Sequence, residues 1–329
     1  MVRSRVNLEL VETLDNFPGL SLEPEIIPQV REALKAGNQP VEQTDVSIEI
    51  ATIKSYDNEE IEVRVYKPNK EIVEKLPGFL WIHGGGYVLG TAESDDALCV
   101  NIVNHANCVV VSVDYRLAPE YPYPAPIEDC YSALCWLVNN ADELSIDTNK
   151  IGVGGLSAGG GLTAALTLLA RDRQFPKVHM QFPLYPMIDD SNNTPSANEI
   201  TEGMIWNQQL NDAGWRLYLG ELHGTDQIPP YAAPARATDY SNLPTTYTFI
   251  GQLDPFRDET ITYVTKLAQA GIDVEFHLYP GAYHSFEGLN PHATIAQYAS
   301  NEFLNAIKTG FQRISNNVSN QQVENNPAE

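Results

Sequence analysis

A serine placed between two glycines is the feature of this sequence with the clearest chemical meaning. Residues 155–159 read Gly-Leu-Ser-Ala-Gly, a G-x-S-x-G pattern with Ser157 at its centre. An apolar, strand-like run precedes the pattern, and an apolar, helix-like run over residues 162–170 follows it. The flanking glycines leave room for a turn in which a Cβ would collide with the adjacent strand and helix. The pattern therefore predicts a strained strand-to-helix turn that lifts the hydroxyl of Ser157, the candidate nucleophile, clear of the sheet.

A serine hydroxyl is a weak nucleophile, so this chemistry requires a base and an acid that orients the base. His284 lies just beyond the strand-like residues 274–279, where the active sites of open parallel sheets form, and is the candidate base. His277 lies inside that strand and is expected to be an ordinary side chain of the sheet. Asp254 follows another strand-like run and is the candidate acid. Asp258, one helical turn further on, is expected to start a helix or to pair with an arginine.

A glycine-rich stretch upstream could stabilise the negative charge that develops during acyl transfer. Residues 83–87 read His-Gly-Gly-Gly-Tyr and follow a buried strand-like run directly. We expect the backbone N–H groups of Gly85 and Gly86, together with that of Ala158, to form an oxyanion hole. His83 is expected to hold the loop in shape rather than to transfer protons.

The order of the predicted elements indicates an α/β fold. Residues 46–54 and 61–66 alternate apolar and polar residues, as half-buried antiparallel strands do. Apolar strands then alternate with helices, which predicts a mainly parallel sheet with helices on both faces. Residues 187–227 break this alternation and are expected to fold over the sheet as an insertion.

These boundaries give a catalytic domain over residues 46–186 and 228–314. The segment 315–329 is rich in Asn and Gln and buries little apolar surface, so it is expected to be disordered.

Composition excludes several classes of function. The 329 residues carry a net charge of -23, which disfavours binding to nucleic acid or to an anionic membrane. No stretch approaches the roughly 18 apolar residues of a membrane span, and the first residues lack the apolar core of a signal peptide, so a cytoplasmic protein is expected. Metal and nucleotide motifs are absent, so neither a metal nor a cofactor is predicted. The oligomeric state stays open, a homodimer included.

The chain resembles the hormone-sensitive-lipase-like group of α/β-hydrolases, the bacterial family IV esterases. The resemblance covers most of residues 20–312. Five motifs carry it: residues 83–87, residues 114–120 (Asp-Tyr-Arg-Leu-Ala-Pro-Glu), residues 155–160, residues 254–259 and residues 284–286. One departure is Leu156, since members usually have Asp or Thr before the nucleophile.

The resemblance implies an α/β-hydrolase fold and carboxylesterase activity, with Ser157, Asp254 and His284 as the catalytic triad. It also implies a small helical cap made from residues 1–45 and the insertion 187–227. The motif over residues 114–120 is structural in such enzymes.

Substrate choice is the least constrained part of the prediction. A bounded pocket under the cap would favour acyl chains of short to medium length, and Tyr87, Trp206 and Tyr283 are candidate lining residues. An amidase or deacetylase would use the same catalytic residues, so this alternative stays open. A ligand-binding receptor on the same fold is the other alternative, and loss of a triad residue would favour it.

Overall fold

The computed structural model describes residues 2–38, 40–41 and 45–324, with side chains described as far as residue 315. Parts of two predicted segments, residues 1, 39 and 42–44 near the N-terminus and residues 325–329 at the C-terminus, lie outside this description.

One sheet of eight strands forms the centre of the described fold, in the order β1-β2-β4-β3-β5-β6-β7-β8. The strands are β1 Val46–Lys54, β2 Glu60–Pro68, β3 Leu76–Ile82, β4 Val109–Asp114, β5 Ile146–Leu156, β6 Met180–Leu184, β7 Thr245–Leu253 and β8 Val274–Tyr283. Strand β2 pairs antiparallel with both β1 and β4, and the remaining pairs are parallel. The antiparallel start and parallel body agree with the alternation seen in the sequence.

Helices surround this sheet. They are α1 Val11–Asn16, α2 Ile27–Gly37, α3 Asp96–Ala106, α4 Ala125–Asn139, α5 Ala158–Asp172, α6 Pro195–Glu199, α7 Gln208–Leu219, α8 Arg257–Gln269, α9 Phe286–Leu289 and α10 Thr294–Glu324. Helices α3 and α10 contact each other on one face of the sheet, and α4 and α5 contact each other on the other face. Among the described residues, no helix combines the length and hydropathy needed to cross a bilayer.

Burial on both faces explains the apolar runs of the central strands β3 and β4. In β3, Phe79 and Trp81 point to the same face because side chains alternate along a strand. There Phe79 packs edge-on against Phe311 of α10, and Trp81 packs against Phe303 of the same helix. The predicted α/β-hydrolase fold class is confirmed by this architecture.

Two segments outside the sheet lie over the carboxyl ends of its strands. Arg31 of α2 attaches the N-terminal segment to the loops that follow β3 and β4. It donates hydrogen bonds to the carbonyls of Val88 and Ala118 and to both carboxylate oxygens of Glu120. The insertion between β6 and β7 contains α6 and α7, and its Trp206 ring reaches the loop that follows β3.

The C-terminal segment differs from its prediction. Helix α10 continues through Glu324, whereas disorder was expected from residue 315. Phe303, Ile307 and Phe311 bury its earlier turns against the sheet. A helix that is already nucleated adds one backbone hydrogen bond per residue, so polar residues can extend it.

Candidate active site

The turn between β5 and α5 holds Ser157 in the strained conformation expected from the sequence. Its backbone has φ 57° and ψ -117°, and such a positive φ is rare for a residue other than glycine. The turn is tight because α5 begins directly against the end of β3. A Cβ added at Gly159 would lie 2.1 Å from the carbonyl oxygen of Ile82, which explains the glycine two residues after the serine.

Three side chains from three strand ends converge at this turn. Asp254 follows the last residue of β7, and His284 follows the last residue of β8. His284 Nδ1 lies 2.7 Å from Asp254 Oδ2, and His284 Nε2 lies 2.9 Å from the Ser157 hydroxyl oxygen. Because an ionised carboxylate can only accept, the imidazole proton belongs on Nδ1, and Nε2 is left to accept the proton of Ser157.

All three side chains are shielded from water. Ser157 and His284 are each 4% exposed, and Asp254 is fully buried. The Phe256 N–H donates to Asp254 Oδ1 at 2.9 Å, so both carboxylate oxygens have a partner. The rings of Tyr185 and Phe256 meet the His284 ring edge-on, with centroids 5.0 and 5.1 Å away. These contacts fix the orientation of the imidazole.

Asp258 and His277, the alternatives to Asp254 and His284, have hydrogen-bond partners away from Ser157. Asp258 is in the first turn of α8, where it pairs with Arg257 and accepts the N–H of Ser196. Burial acts to raise the pKa of Asp258, but these hydrogen bonds outweigh it, so the pKa lies below its usual value. His277 lies in β8 and its Nε2 contacts Glu275 at 3.0 Å.

The glycine-rich loop after β3 runs beside the serine. A Cβ added at Gly84 would lie 3.5 Å from the Cβ of Ser157. Gly86 has φ +62°, and a Cβ there would lie 2.4 Å from the Trp206 ring. Both the positive φ and the collision with this ring therefore exclude a larger residue at this position. The loop therefore brings its backbone close to the serine, while Ala158 begins α5 on the other side.

His83 is buried within the loop. Its Nδ1 lies 2.8 Å from the carbonyl oxygen of Gly84, and its ring stacks on Tyr115 with centroids 4.2 Å apart. The Tyr115 hydroxyl in turn donates to the carbonyl of His83. These contacts agree with the structural role expected from the sequence.

A cavity of about 430 Å³ opens beside the site, a size that suits a small-molecule ligand. Leu156 and Ser285, the neighbours of the nucleophile and of the candidate base, lie in its wall. The rest of the wall is mainly apolar and includes Leu98, Leu184, Tyr185, Phe249, Leu289, Phe303 and Leu304, with Asp95 and Glu287 as acidic members. The cavity adjoins the catalytic residues through Leu156 and Ser285, and Ser157, Asp254 and His284 are not themselves in its wall. A larger cleft of about 690 Å³ lies at the amino end of β3, the opposite end of the parallel strands from these residues.

The structure brings one of the three predicted lining residues close to His284. The Trp206 ring lies 6.1 Å from the His284 ring. Tyr87 instead stacks on Tyr218 and donates to the carbonyl of Met187, so its side chain is part of the core.

Tyr283 also points away from the cavity. Its hydroxyl donates to the carbonyl of Leu10 and accepts from Asn290. Because successive residues of a strand face opposite sides, a position next to His284 turns this side chain away from it.

With this geometry in place, comparison with known proteins gives the family. A model of the α/β-hydrolase fold matches residues 79–288, a stretch that contains Ser157, Asp254 and His284. The chain belongs to the α/β-hydrolase family. The resemblance to its hormone-sensitive-lipase-like branch, indicated by the sequence motifs, is confirmed.

Several esterases are similar to this hydrolase. An arylesterase of Saccharolobus solfataricus is 36% identical over 230 residues, which are 70% of this chain and 74% of that protein. A carboxylesterase of Mycobacterium tuberculosis is 34% identical over 312 residues, which are 94% of this chain and 97% of that protein. The solved structure of a bacterial heroin esterase is 36% identical with a TM-score of 0.90, covering 94% of this chain and 99% of that one.

Sequence reasoning missed two residues of this hydrolase that line the cavity beside His284. Tyr185 follows β6, and its hydroxyl donates to Glu287 Oε1 at 2.5 Å. Glu287 comes three residues after His284, and burial raises the pKa of its carboxyl. The closeness of Glu287 to His284 in the sequence was the available signal, although His284 precedes α9 and Glu287 lies within it.

Proposed function

We propose that this protein is a serine carboxylesterase that hydrolyses esters of short- to medium-chain acids through an acyl-enzyme on Ser157. The observation that carries the proposal is the buried hydrogen-bonded chain from Asp254 through His284 to Ser157. Esterase and carboxylesterase relatives that share the fold over most of the chain support the reaction class.

In the first half of the reaction, the Ser157 oxygen attacks the ester carbonyl carbon while its proton passes to His284 Nε2. The carbonyl oxygen becomes an oxyanion, which the N–H groups of Gly85, Gly86 and Ala158 stabilise. His284 then gives the proton to the departing alkoxide, the C–O bond breaks, and the alcohol leaves. The acyl group stays bonded to Ser157.

Water completes the cycle. His284 takes a proton from a water molecule, whose oxygen attacks the acyl carbonyl carbon. The second tetrahedral intermediate collapses, the Ser157 oxygen leaves with that proton, and a carboxylic acid is released. Asp254 keeps its negative charge throughout and stabilises the imidazolium that forms twice in each cycle.

The cavity and its cover set the proposed substrate size. The N-terminal segment and the insertion act as a cap, with Trp206 over Gly86 and His284. The neighbouring cavity of about 430 Å³ is bounded by α3, α9 and α10. Each CH₂ that it buries contributes about 0.8 kcal/mol until the space is filled, after which longer chains clash or remain in water.

Amide hydrolysis is the remaining alternative with the same catalytic groups. The two reactions differ in the leaving group, since an amine must be protonated before it departs whereas an alkoxide leaves more readily. Nothing in the arrangement around His284 favours an amine. A receptor without catalysis has less support, because all three catalytic side chains are present and hydrogen-bonded.

A series of nitrophenyl esters from acetate to palmitate tests the proposal. We expect kcat/KM to peak for acyl chains of roughly four to eight carbons, since the cavity is bounded. The Ser157→Ala and His284→Ala variants should each lose roughly 10³-fold or more in kcat. Preference for palmitate with a rate increase on emulsified triglyceride would indicate a lipase, and faster turnover of matched anilides would indicate an amidase.

A further inference from the structure

Three potential metal ligands converge on the sheet at its edge strand, away from the catalytic residues. Glu275 and His277 are two residues apart in β8, so they face the same side of the sheet. Glu302 reaches them from α10, which covers that side. One ligand atom from each of the three side chains lies within 4.8 Å of the others.

The charges in this cluster favour a bound cation. Two carboxylates approach each other, and His277 contacts Glu275 at 3.0 Å. Within the described part of the chain, no lysine or arginine forms an ion pair with either glutamate. Like charges at this separation repel, and a divalent ion between them would turn the repulsion into attraction.

Two buried hydroxyls beside the cluster give an independent indication of a ligand. Tyr247 and Tyr279 flank the His277 ring, with centroids 5.5 and 6.2 Å away. The two tyrosines are only 4% and 7% exposed, and within the described residues neither hydroxyl has a hydrogen-bond partner. Both phenol groups interact electrostatically with Glu275 and Glu302. Because buried polar groups are nearly always satisfied, these hydroxyls indicate a polar occupant such as a metal-bound water.

We propose that Glu275, His277 and Glu302 form a zinc site that joins α10 to the edge strand β8. Imidazole and carboxylate are common zinc ligands, and three protein ligands plus a water complete a tetrahedron. In a tetrahedron, zinc bonds of about 2.0–2.2 Å place ligand atoms roughly 3.3–3.6 Å apart, so side-chain rotations must bring these atoms together by about an ångström.

The exposure of the ligands fits exchange with solvent. The His277 side chain is 31% exposed and that of Glu275 is 47% exposed. An ion can therefore enter without unfolding, and three ligands on a partly open surface predict micromolar affinity. The site has no part in ester hydrolysis and instead stabilises the packing of α10 against the sheet.

Calorimetric titration of the whole protein with zinc chloride at pH 7.5 tests this site. We expect one equivalent to bind the wild type, and the His277→Gln and Glu302→Gln variants to bind about 10-fold more weakly or not at all. Zinc at a fixed concentration should raise the Tm of the wild type by more than that of either variant. His292→Gln is the matched control, since it removes an exposed histidine outside the cluster.

Activity provides the folding control for this experiment. Without added metal, both variants should hydrolyse nitrophenyl butyrate at the wild-type rate. Failure of the wild type to bind at millimolar zinc, or equal binding by the wild type and either variant, would overturn the proposal. Loss of binding in His292→Gln would overturn it as well, by moving the site elsewhere.

Discussion

Replacing Asp254 with asparagine should separate the role of this residue from that of the nearby Asp258. Asp254 accepts two hydrogen bonds, from His284 Nδ1 at 2.7 Å and from the Phe256 N–H at 2.9 Å. An asparagine has one acceptor oxygen and one NH₂ group, so it cannot replace both acceptors.

Two orientations are open to this asparagine, and both are unfavourable. If its oxygen keeps the Phe256 N–H, its NH₂ faces His284 and forces the imidazole proton onto Nε2. That tautomer cannot accept the proton of Ser157. If the amide is reversed, its NH₂ meets the Phe256 N–H and two buried donors face each other. We therefore expect kcat to fall by about 10⁴-fold, or about 5 kcal/mol in activation free energy.

The Asp258→Asn variant is the matched control. It weakens a partly exposed ion pair with Arg257, worth at most about 1 kcal/mol, and does not touch His284. Its kcat should therefore stay within about tenfold of wild type. Initial rates on nitrophenyl butyrate, with circular dichroism and Tm to confirm folding, measure the difference. Equal losses in the two folded variants, or a larger loss in Asp258→Asn, would refute the assignment of the acid.

Three further substitutions test the surroundings of the site. Gly159→Ala should destabilise the protein by about 1–3 kcal/mol because the new Cβ meets backbone, whereas Gly37→Ala, which meets no atom within 4 Å, should leave Tm nearly unchanged. Burial raises the pKa of the Glu287 carboxyl above its ordinary value of 4.5. Glu287 therefore contributes most to folding stability at low pH, and this contribution is lost as the pH rises from 4.5 through the raised pKa. Glu287→Gln should therefore show a smaller fall in Tm from pH 4.5 to pH 8, and parallel Tm curves would contradict this. Arg31→Ala should cost about 1–3 kcal/mol in denaturant unfolding, because it removes donors to Glu120 and to two backbone carbonyls.

Two kinds of strand could be predicted from the sequence: half-buried strands with alternating residues, such as β1, and strands with continuous apolar runs. Strands β3, β4 and β7 contain near-continuous apolar runs, and each run marks its strand without further information. Strand β6 was not identified from the sequence. It has five residues and contains Pro183, which lacks an N–H and is atypical of a central strand. Strand β6 lies between β5 and β7 because of its pairing with these two strands, and the residue pattern within β6 does not reveal that pairing.

The catalytic residues of the candidate site could be predicted from the sequence, but its cavity wall could not. Ser157, Asp254 and His284 could be predicted because each follows a strand and carries a reactive group, so their convergence follows from the topology of a parallel sheet. The cavity wall could not be predicted, because it depends on side-chain direction and on contacts between distant elements. Tyr185 faces the cavity although the sequence offers no pattern around it, whereas Tyr283 lies next to His284 and faces away.

Covalent trapping of the nucleophile tests the central claim most directly. Diethyl nitrophenyl phosphate reacts with an activated serine and leaves a diethylphosphoryl group that hydrolyses slowly. Intact-mass and peptide mass spectrometry should show one such group per chain, located on Ser157, with loss of activity in proportion to labelling. The Ser157→Ala variant should stay unlabelled. Labelling of another residue, or inactivation without an adduct on Ser157, would contradict the account.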